Sequence, residues 1–473
     1  MGTHERFKIK TIDDLLNKIK ELNLDMGILA DTSVLGSPLT IGNFKMPNRI
    51  AIQPMEGCDG DHEGAPSRLT FRRYKRFGGS GAGLCWFEAT AIKQEARANP
   101  RQLMLTEENK NEFAKLLNEY EKEEEKYLET IDHPSFGKSL KILQITHSGR
   151  YSAPGYKNPL RMYWYDVLDE AYGRSREDGK VLTDEELDEL PDLFAESARL
   201  AKEVGFDGVD IKSCHRYLLS ESLSAFTRKD SKYGGKSYEN RTRLIKNIIK
   251  KVKDKYMDNN FLVGLRVNIF DAIPYPYGWG VVKEQEKGIE PERFSNRSPV
   301  PKPDLTEPIR FLNELADMGI KLADLTIANP YFNPFVSRPY DVPAGDKSEP
   351  HEHPLEGVTR FINLETQVRE NVPKEMKLIG TGYSWLRQYG GNVASYEVEQ
   401  NHIDIVGWGR MAFANPNFPK QIIKNGMIEK NKTCIACSNC TELMRKHTVT
   451  GCLIRDKEVY MPYFKGEKEP DWV

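Results

Sequence analysis

The sequence predicts an α/β fold of the (β/α)8 TIM barrel class, extended at its C-terminal end by a segment that carries four cysteines. Three observations lead there. Eight short apolar, β-branched runs recur along the chain, helical patterns separate them, and the tail contains the run Cys434-Ile435-Ala436-Cys437-Ser438-Asn439-Cys440, with Cys452 following after eleven intervening residues. Alternating strand and helix calls for a parallel sheet. Eight such units favour a closed barrel over an open sheet.

The expected strands lie at 49–55, 83–92, 141–147, 208–213, 262–268, 322–328, 377–382 and 403–409. Between them, the stretch 182–206 opens with Thr183 as a helix cap followed by acids in the first turn. Residues 238–256 are amphipathic, and 356–373 read as a helix that stops before Pro373. The expected organisation is a lead-in over 1–45, a barrel over 46–430 and a cysteine segment over 431–473. A Pro- and aromatic-rich loop, 269–304, interrupts the barrel after its fifth strand. Loops of that length inside a compact domain commonly serve as lids, and Tyr275, Tyr277 and Trp279 are its candidates for covering a substrate; packing of the loop on itself is the alternative.

Composition narrows the function. The chain has 473 residues, 7 cysteines and a net charge of -2, so neither nucleic acid nor a membrane surface is an expected partner. Its first residues are charged and lack the apolar core of a signal peptide, and no run is long enough to span a bilayer. A cytoplasmic protein with reduced thiols is expected. Cysteines bunched in such a chain point to metal binding or catalysis. The sequence leaves room for a homo-oligomer.

In barrels of this class the chemistry gathers where the strands end. The first strand ends in Pro54-Met55-Glu56, the second near Ala89, and the third carries Gln144. Gln144 offers a donor and an acceptor together, which suits a heteroaromatic ring edge. Arg266 lies inside the fifth strand and needs an anionic partner, either a ligand or a barrel acid. The last two strands end in Gly382-Tyr383 and Gly409-Arg410. Glycines there allow close approach of backbone N–H groups to a phosphate, although each alone also fits a simple tight turn. The fourth strand runs into Lys212, His215, Arg216 and Tyr217. Lys212 and His215 could donate to an oxygen that gains negative charge, and Tyr217 could donate a proton.

These motifs, in this order, resemble the old yellow enzyme family: "NRIAIQPM", "GLCWFEATAI", "ILQITHSGR", "AKEVGFDGVDIKSCHRYLLSESLS", "YGGKSYENRTR", "VGLRV" and "GWGRMAFANPNFP". The tail resembles that of the 2,4-dienoyl-CoA reductase and trimethylamine dehydrogenase branch. The resemblance implies FMN at the barrel mouth. Pro54, Met55, Glu56 and Ala89 would lie along the flavin, Gln144 would bond its ring edge, and Arg266 would face its N1/O2 side. Gly382, Tyr383, Gly409 and Arg410 would hold the phosphate. Tyr217 takes the place of the tyrosine that protonates the substrate, and Lys212 and His215 the place of the pair that binds its oxygen. Asn240 and Arg241 match a motif that is mainly structural.

The departures are informative. Lys212 stands where His or Tyr is usual, and Arg216 where Gly is usual. Both add positive charge and suggest an anionic substrate group. Glu56 replaces the flavin-linking cysteine of trimethylamine dehydrogenase, so covalent flavin is not expected, although Cys58 lies two residues on.

The spacing of Cys434, Cys437, Cys440 and Cys452, C-x2-C-x2-C-x11-C, favours a [4Fe–4S] cluster. Structural zinc more often uses two separated knuckles. Cys85 reads as core; Cys214 lies near the site, with packing an equal alternative. In the multidomain relatives FAD- and nicotinamide-binding domains follow the cluster, whereas here 21 residues follow Cys452 and no GxGxxG follows a strand. The expected electron donor is therefore external: a reductase subunit, a ferredoxin or flavodoxin, or NAD(P)H at the FMN itself. The expected reaction is reduction of an activated C=C bond in a small molecule, with hydride from FMN N5 and a proton from Tyr217. The alternatives are an amine dehydrogenase or demethylase that exports electrons through the cluster, and a non-catalytic electron-transfer subunit.

Overall fold

The computed structural model describes residues 3–152, 158–284, 286–345, 349–446 and 448–469. Eight parallel strands close a barrel: β1 (Ile50–Ile52), β2 (Leu84–Ala91), β3 (Leu140–Thr146), β4 (Gly208–Ser213), β5 (Leu262–Phe270), β6 (Leu322–Ile327), β7 (Lys377–Gly380) and β8 (Ile405–Trp408). The ring closes where Val406 of β8 pairs with Ile50 of β1. Each of the eight runs read from the sequence corresponds to one of these strands. Every residue of β2, β3, β4 and β5 is buried, as expected when helices cover one face of a parallel sheet and the barrel interior the other.

The lead-in does two things. Its helix, Ile12–Glu21, is capped by Thr11 and Asp14 in a reciprocal box. Its antiparallel hairpin, Leu39–Ile41 with Phe44–Met46, places Ile41 and Met46 against Ala51, Leu84, Leu140, Leu262 and Leu322. Those are N-terminal strand residues, so the hairpin plugs the end of the barrel opposite the site.

Thr183 caps its helix as expected, accepting from the Glu186 N–H. The stretch 182–206 is two helices, Asp184–Asp188 and Leu190–Val204, because Pro191 has no N–H to continue the first and instead sits in the first turn of the second. The helix Tyr238–Tyr256 falls where its periodicity placed it.

The long loop divides. Its first half packs on the body of the protein: Tyr277 stacks on Tyr165 at 3.8 Å, Tyr275 meets Phe226 edge-on, and Trp279 is buried against Tyr238 and Phe311. These three aromatics do not line the cavities at the barrel mouth. The lid expectation is corrected for them, since their rings pack on aromatic residues of the barrel's other elements rather than facing the cavities. The second half, Glu292 to Asn296, does reach the mouth.

The cysteine segment folds back over the loop that follows β1. Thr450 N–H donates to the Gly57 carbonyl at 2.7 Å. Asp456 receives both guanidinium nitrogens of Arg72, at 2.7 and 2.9 Å, and Arg76 at 2.6 Å. Leu443, Val449, Leu453, Tyr460 and Tyr463 form a small core with Leu69 beneath it.

Candidate functional site

Two cavities meet at the C-terminal mouth of the barrel. The inner one, about 190 Å3, runs from the ends of β1, β3, β4 and β5 to the glycines after β7 and β8, and on to Cys440 of the tail. The outer one is a broad basin of about 1030 Å3. Glu56, Tyr331 and Met444 line both and form the partition between them.

The floor of the inner cavity is set by strand register. Arg266 on β5 stands level with Lys212 on β4 and Asp324 on β6. Its Nε lies 3.0 Å from Asp324 Oδ2. Gln53 Nε2 donates to Asp324 Oδ1 at 3.1 Å, and Gln144 Nε2 donates to Asp210. Burial pushes Asp210 up to about 7, with Asp324 adding to it and Gln144 opposing. Burial likewise pushes Asp324 up to about 6, against the pull of Arg266. Gln53, Asp210 and Asp324 were not singled out in the sequence; each lies within or just beyond a strand pattern that reads equally well as core. A Cβ on Gly407 would stand 2.2 Å from Gln53 Nε2, so a side chain there would displace Gln53 from the floor.

At the far end Gly382, Ser384 and Gly409 line the wall with Arg338 and Arg410. Gly382 has φ of 99°, a backbone state that disfavours side chains. Arg410 Nη2 bonds the Pro339 carbonyl at 2.8 Å, and Arg338 Nη1 bonds Ser438 at 3.1 Å. Arg410 Nη1 and Arg338 Nη2 are buried with no partner among the described residues. Burial, and then the charge of Arg410, lower Arg338 to about 10. Two neighbouring guanidiniums with spare donors make a cradle for an anion.

The turn after β4 builds the reactive side. His215 and Arg216 both take left-handed backbone angles, φ of 60° and 62°, which cost roughly 1–2 kcal/mol each. The turn is held by the His215 N–H on Asn268 Oδ1 at 3.0 Å and starts the helix Leu218–Leu223 directly after Tyr217. That geometry explains why glycine suits position 216. Arg216 is accommodated instead by burying its guanidinium on Asp271 at 2.7 Å, with Ser224 and Tyr163 as further partners. It points away from the cavity, so its expected contribution to an anionic substrate is overturned.

Lys212 does reach the cavity, but Glu56 meets it. Lys212 Nζ donates to Glu56 Oε1 at 2.8 Å and lies 3.7 Å above the Tyr217 ring. Tyr217 OH donates to the same oxygen at 3.0 Å and lies 2.8 Å from Tyr331 OH. Burial first, then Glu56, hold the Tyr217 phenol well above its usual value, so it is protonated at neutral pH. His215 Nε2 lies 3.3 Å from Thr326 Oγ1. Burial, with Arg266 and Lys212 nearby, holds it well below its usual value and therefore neutral.

Pro54, Met55, Glu56, Gln144, Lys212, His215, Tyr217, Arg266, Gly382, Gly409 and Arg410 are thus brought to one cavity. Ala89 and Tyr383 are not among its lining residues. The Ala89 carbonyl accepts from Gln102 at 3.0 Å, and the Tyr383 ring turns inward onto Trp408. Cys58 is buried on Asn99, at 3.1 Å, and Cys85 and Cys214 are fully buried; none of the three lines the cavity. Sequence reasoning missed Tyr331 and Arg338, which lie between β6 and the helix Pro354–Asn371 where no periodicity marks them.

Cys434, Cys437, Cys440 and Cys452 line one small cavity of about 20 Å3 and are all free thiols. Backbone N–H groups of Ala436 and Arg455 point at the sulfurs of Cys434 and Cys452, at 3.4 and 3.3 Å. Burial raises Cys434 to about 12. Among the described residues, however, no three His, Cys, Asp or Glu side chains stand together as a ready-made metal site.

A parallel barrel with a carboxamide–guanidinium floor, an arginine and glycine cradle and a protonated phenol at one mouth is an arrangement that suits a flavin oxidoreductase. The chain belongs to the NADH:flavin oxidoreductase / NADH oxidase family, whose profile matches residues 35–276. An NADPH dehydrogenase of Clostridium acetobutylicum is 29% identical over 251 residues, covering 53% of this chain and 67% of that protein. Among solved structures, a 2-naphthoyl-CoA reductase complex superposes with a TM-score of 0.68 at 19% identity, over 92% of this chain and 58% of that one. Histamine dehydrogenase from Rhizobium sp. 4-9 gives 0.64 at 19% identity, over 93% and 54%. These likenesses show the fold, and this chain spans little more than half the length of either solved protein. The resemblance to the old yellow enzyme family is borne out by the family match. Among the described residues no helix is long and apolar enough to cross a membrane.

Proposed function

We propose that the protein is an FMN- and [4Fe–4S]-dependent oxidoreductase that reduces an activated carbon–carbon double bond. The observation that carries this is Tyr217, a buried phenol kept protonated at the cavity wall beside Lys212 and a neutral His215.

The residues present fit FMN. Gln53, Gln144 and Arg266 would take its ring edge, and the unpartnered nitrogens of Arg338 and Arg410 would take its phosphate beside Gly382 and Gly409. Bound FMN would supply the hydride. The protein's own groups would do the rest. His215 and Lys212 would donate to the oxygen conjugated with the double bond, and Tyr217 would give its proton to the α-carbon. With Arg216 turned away and Lys212 paired to Glu56, a neutral carbonyl substrate suits the site better than a carboxylate.

The four thiols support a cluster in that they share one cavity with N–H groups aimed at two sulfurs, a pattern that stabilises iron-bound thiolates. Cys440 also lines the inner cavity, which would put the cluster beside the flavin and give a one-electron partner access to it.

A specific feature favours a second reading, oxidation of an amine. Tyr151, Tyr172, Tyr217 and Tyr331 pack on one another, Tyr151 and Tyr331 only 4.2 Å apart between centroids, and Tyr217 of this cluster donates to Glu56. Aromatic faces around a carboxylate suit a cation. An electron-transfer subunit without catalysis is disfavoured by the open basin that leads to Tyr331 and Glu56.

The deciding experiment is an anaerobic visible spectrum with iron, sulfide and flavin assays, then titration with NADH, NADPH and reduced methyl viologen, then addition of an enone or an amine. Reoxidation of reduced flavin by the enone supports the first reading. Flavin bleaching by the amine supports the second.

A further inference from the structure

We propose that Glu56 is the positioning residue through which Tyr217 recovers its proton from the outer basin. The proposal rests on Tyr217 being the proton donor, as read above.

Tyr217 lines only the inner cavity and is 1% exposed, so once its proton is spent it has no direct access to solvent. It has two hydroxyl-level partners, Glu56 and Tyr331, and both line the basin as well. Of these, Glu56 is suited to carry a proton in both directions. Tyr331 would have to become a phenolate in a buried site next to a carboxylate, and burial and Glu56 together hold its phenol well above the usual value. Glu56 Oε1 already accepts from Tyr217 at 3.0 Å and from Lys212 at 2.8 Å. The other titratable groups whose charge couples to it are Tyr172, Cys58 and Glu88. Lys212, 3.7 Å over the Tyr217 ring, is placed to stabilise the phenolate while it lasts.

The balance is simple. The Tyr217 O–H bond breaks and a substrate C–H bond forms. Glu56 takes a proton from water in the basin and passes it to the Tyr217 oxygen, reforming O–H. One solvent proton is consumed per double bond, and the two electrons come with the hydride that the proposed reaction already supplies.

The test uses holoenzyme, reduced methyl viologen in excess and 2-cyclohexenone as probe, under anaerobic rapid mixing, with wild type, E56Q, E56D and Y217F compared. In E56Q the expected result is a burst of one product per flavin, then steady turnover slowed about a hundredfold, with E56D recovering much of the loss. Glutamine keeps a polar partner for Tyr217 but cannot carry the proton. E56Q turning over at the wild-type rate, or slowed equally in burst and steady phases, overturns the proposal. Wild type that leaves its reduced flavin unoxidised by the enone brings down the underlying reading and the proposal with it. A relay confined to Glu56 is distinguished from the donor itself by Y217F, which should lose the burst as well.

Discussion

Arg338 and Arg410 reach the same wall of the inner cavity from different elements, and each keeps one buried guanidinium nitrogen unpartnered among the described residues. The pair is unfavourable while it faces only itself, which is why Arg410 helps to lower Arg338 to about 10. A phosphate between them would convert repulsion into two charge-assisted hydrogen bonds. Replacing Arg338 with Met should therefore weaken FMN binding by ~10–100-fold, the equivalent of one such bond. The apoprotein should unfold no earlier than wild type, since a like charge has been removed. Equilibrium titration of apoprotein with FMN, beside thermal unfolding, measures both. Unchanged FMN affinity would place the phosphate elsewhere.

The carboxylates under the floor give a pH dependence of definite sign. Burial raises Asp210 to about 7 and Asp324 to about 6, so the folded apoprotein holds protons that the unfolded chain has already released. Their contribution to stability is fully present below the unfolded carboxylate range near 4 and is lost as pH rises to about 7. The melting temperature of the apoprotein should fall across that window, and Asp210→Asn, which still offers Gln144 an acceptor, should flatten the fall. Melting curves at a series of pH values test it. An apoprotein that gains stability from pH 4 to 7 in a manner sensitive to D210N would reverse the sign.

Much of the fold was legible because barrel strands buried on both faces are written as continuous apolar runs. The residues of the cavity that are fixed by backbone position, such as Gln144, Arg266 and Gly409, followed from the strand ends. What was not legible depends on direction. Arg216 and Lys212 look alike as added charge, yet the left-handed turn at 215–216 sends Arg216 onto Asp271, whereas Lys212, on β4, reaches into the cavity. Glu56 was placed along the flavin by its position, but its pairing with Lys212 and Tyr217 joins residues 156 and 161 positions apart, which no local pattern encodes. Tyr331 and Arg338 come from an irregular stretch whose path only the packed structure fixes.

The two halves of the long loop should respond differently to substitution. Phe294 lines the outer basin, whereas Trp279 is buried 6.4 Å from both Tyr238 and Phe311. Phe294→Ala should raise the KM of a substrate that extends into the basin by severalfold while kcat changes less. Trp279→Ala should instead cost ~3–5 kcal/mol of stability through the cavity it leaves. Steady-state kinetics with a short and an extended enone, together with thermal unfolding, separates the two effects. A lower melting temperature with unaltered KM for F294A would make that half of the loop structural too.

The tail provides the remaining test. Cys434, Cys437, Cys440 and Cys452 line a cavity of about 20 Å3; burial pushes Cys434 to about 12 and raises Cys437 and Cys452, so as free thiols those three carry little negative charge. Iron would hold them as thiolates, and the N–H groups of Ala436 and Arg455 would then gain strength as donors. Anaerobic reconstitution should load about four irons and as many sulfides per chain. Cys440→Ser should lose most of that iron while retaining FMN, because Cys440 is only one of many residues around the inner cavity and the phosphate cradle is formed by others. Iron, sulfide and flavin assays on the same sample read this directly. Zinc in place of iron, or C440S with full iron content, would remove the cluster from the electron path and leave the flavin barrel to exchange electrons at its own mouth.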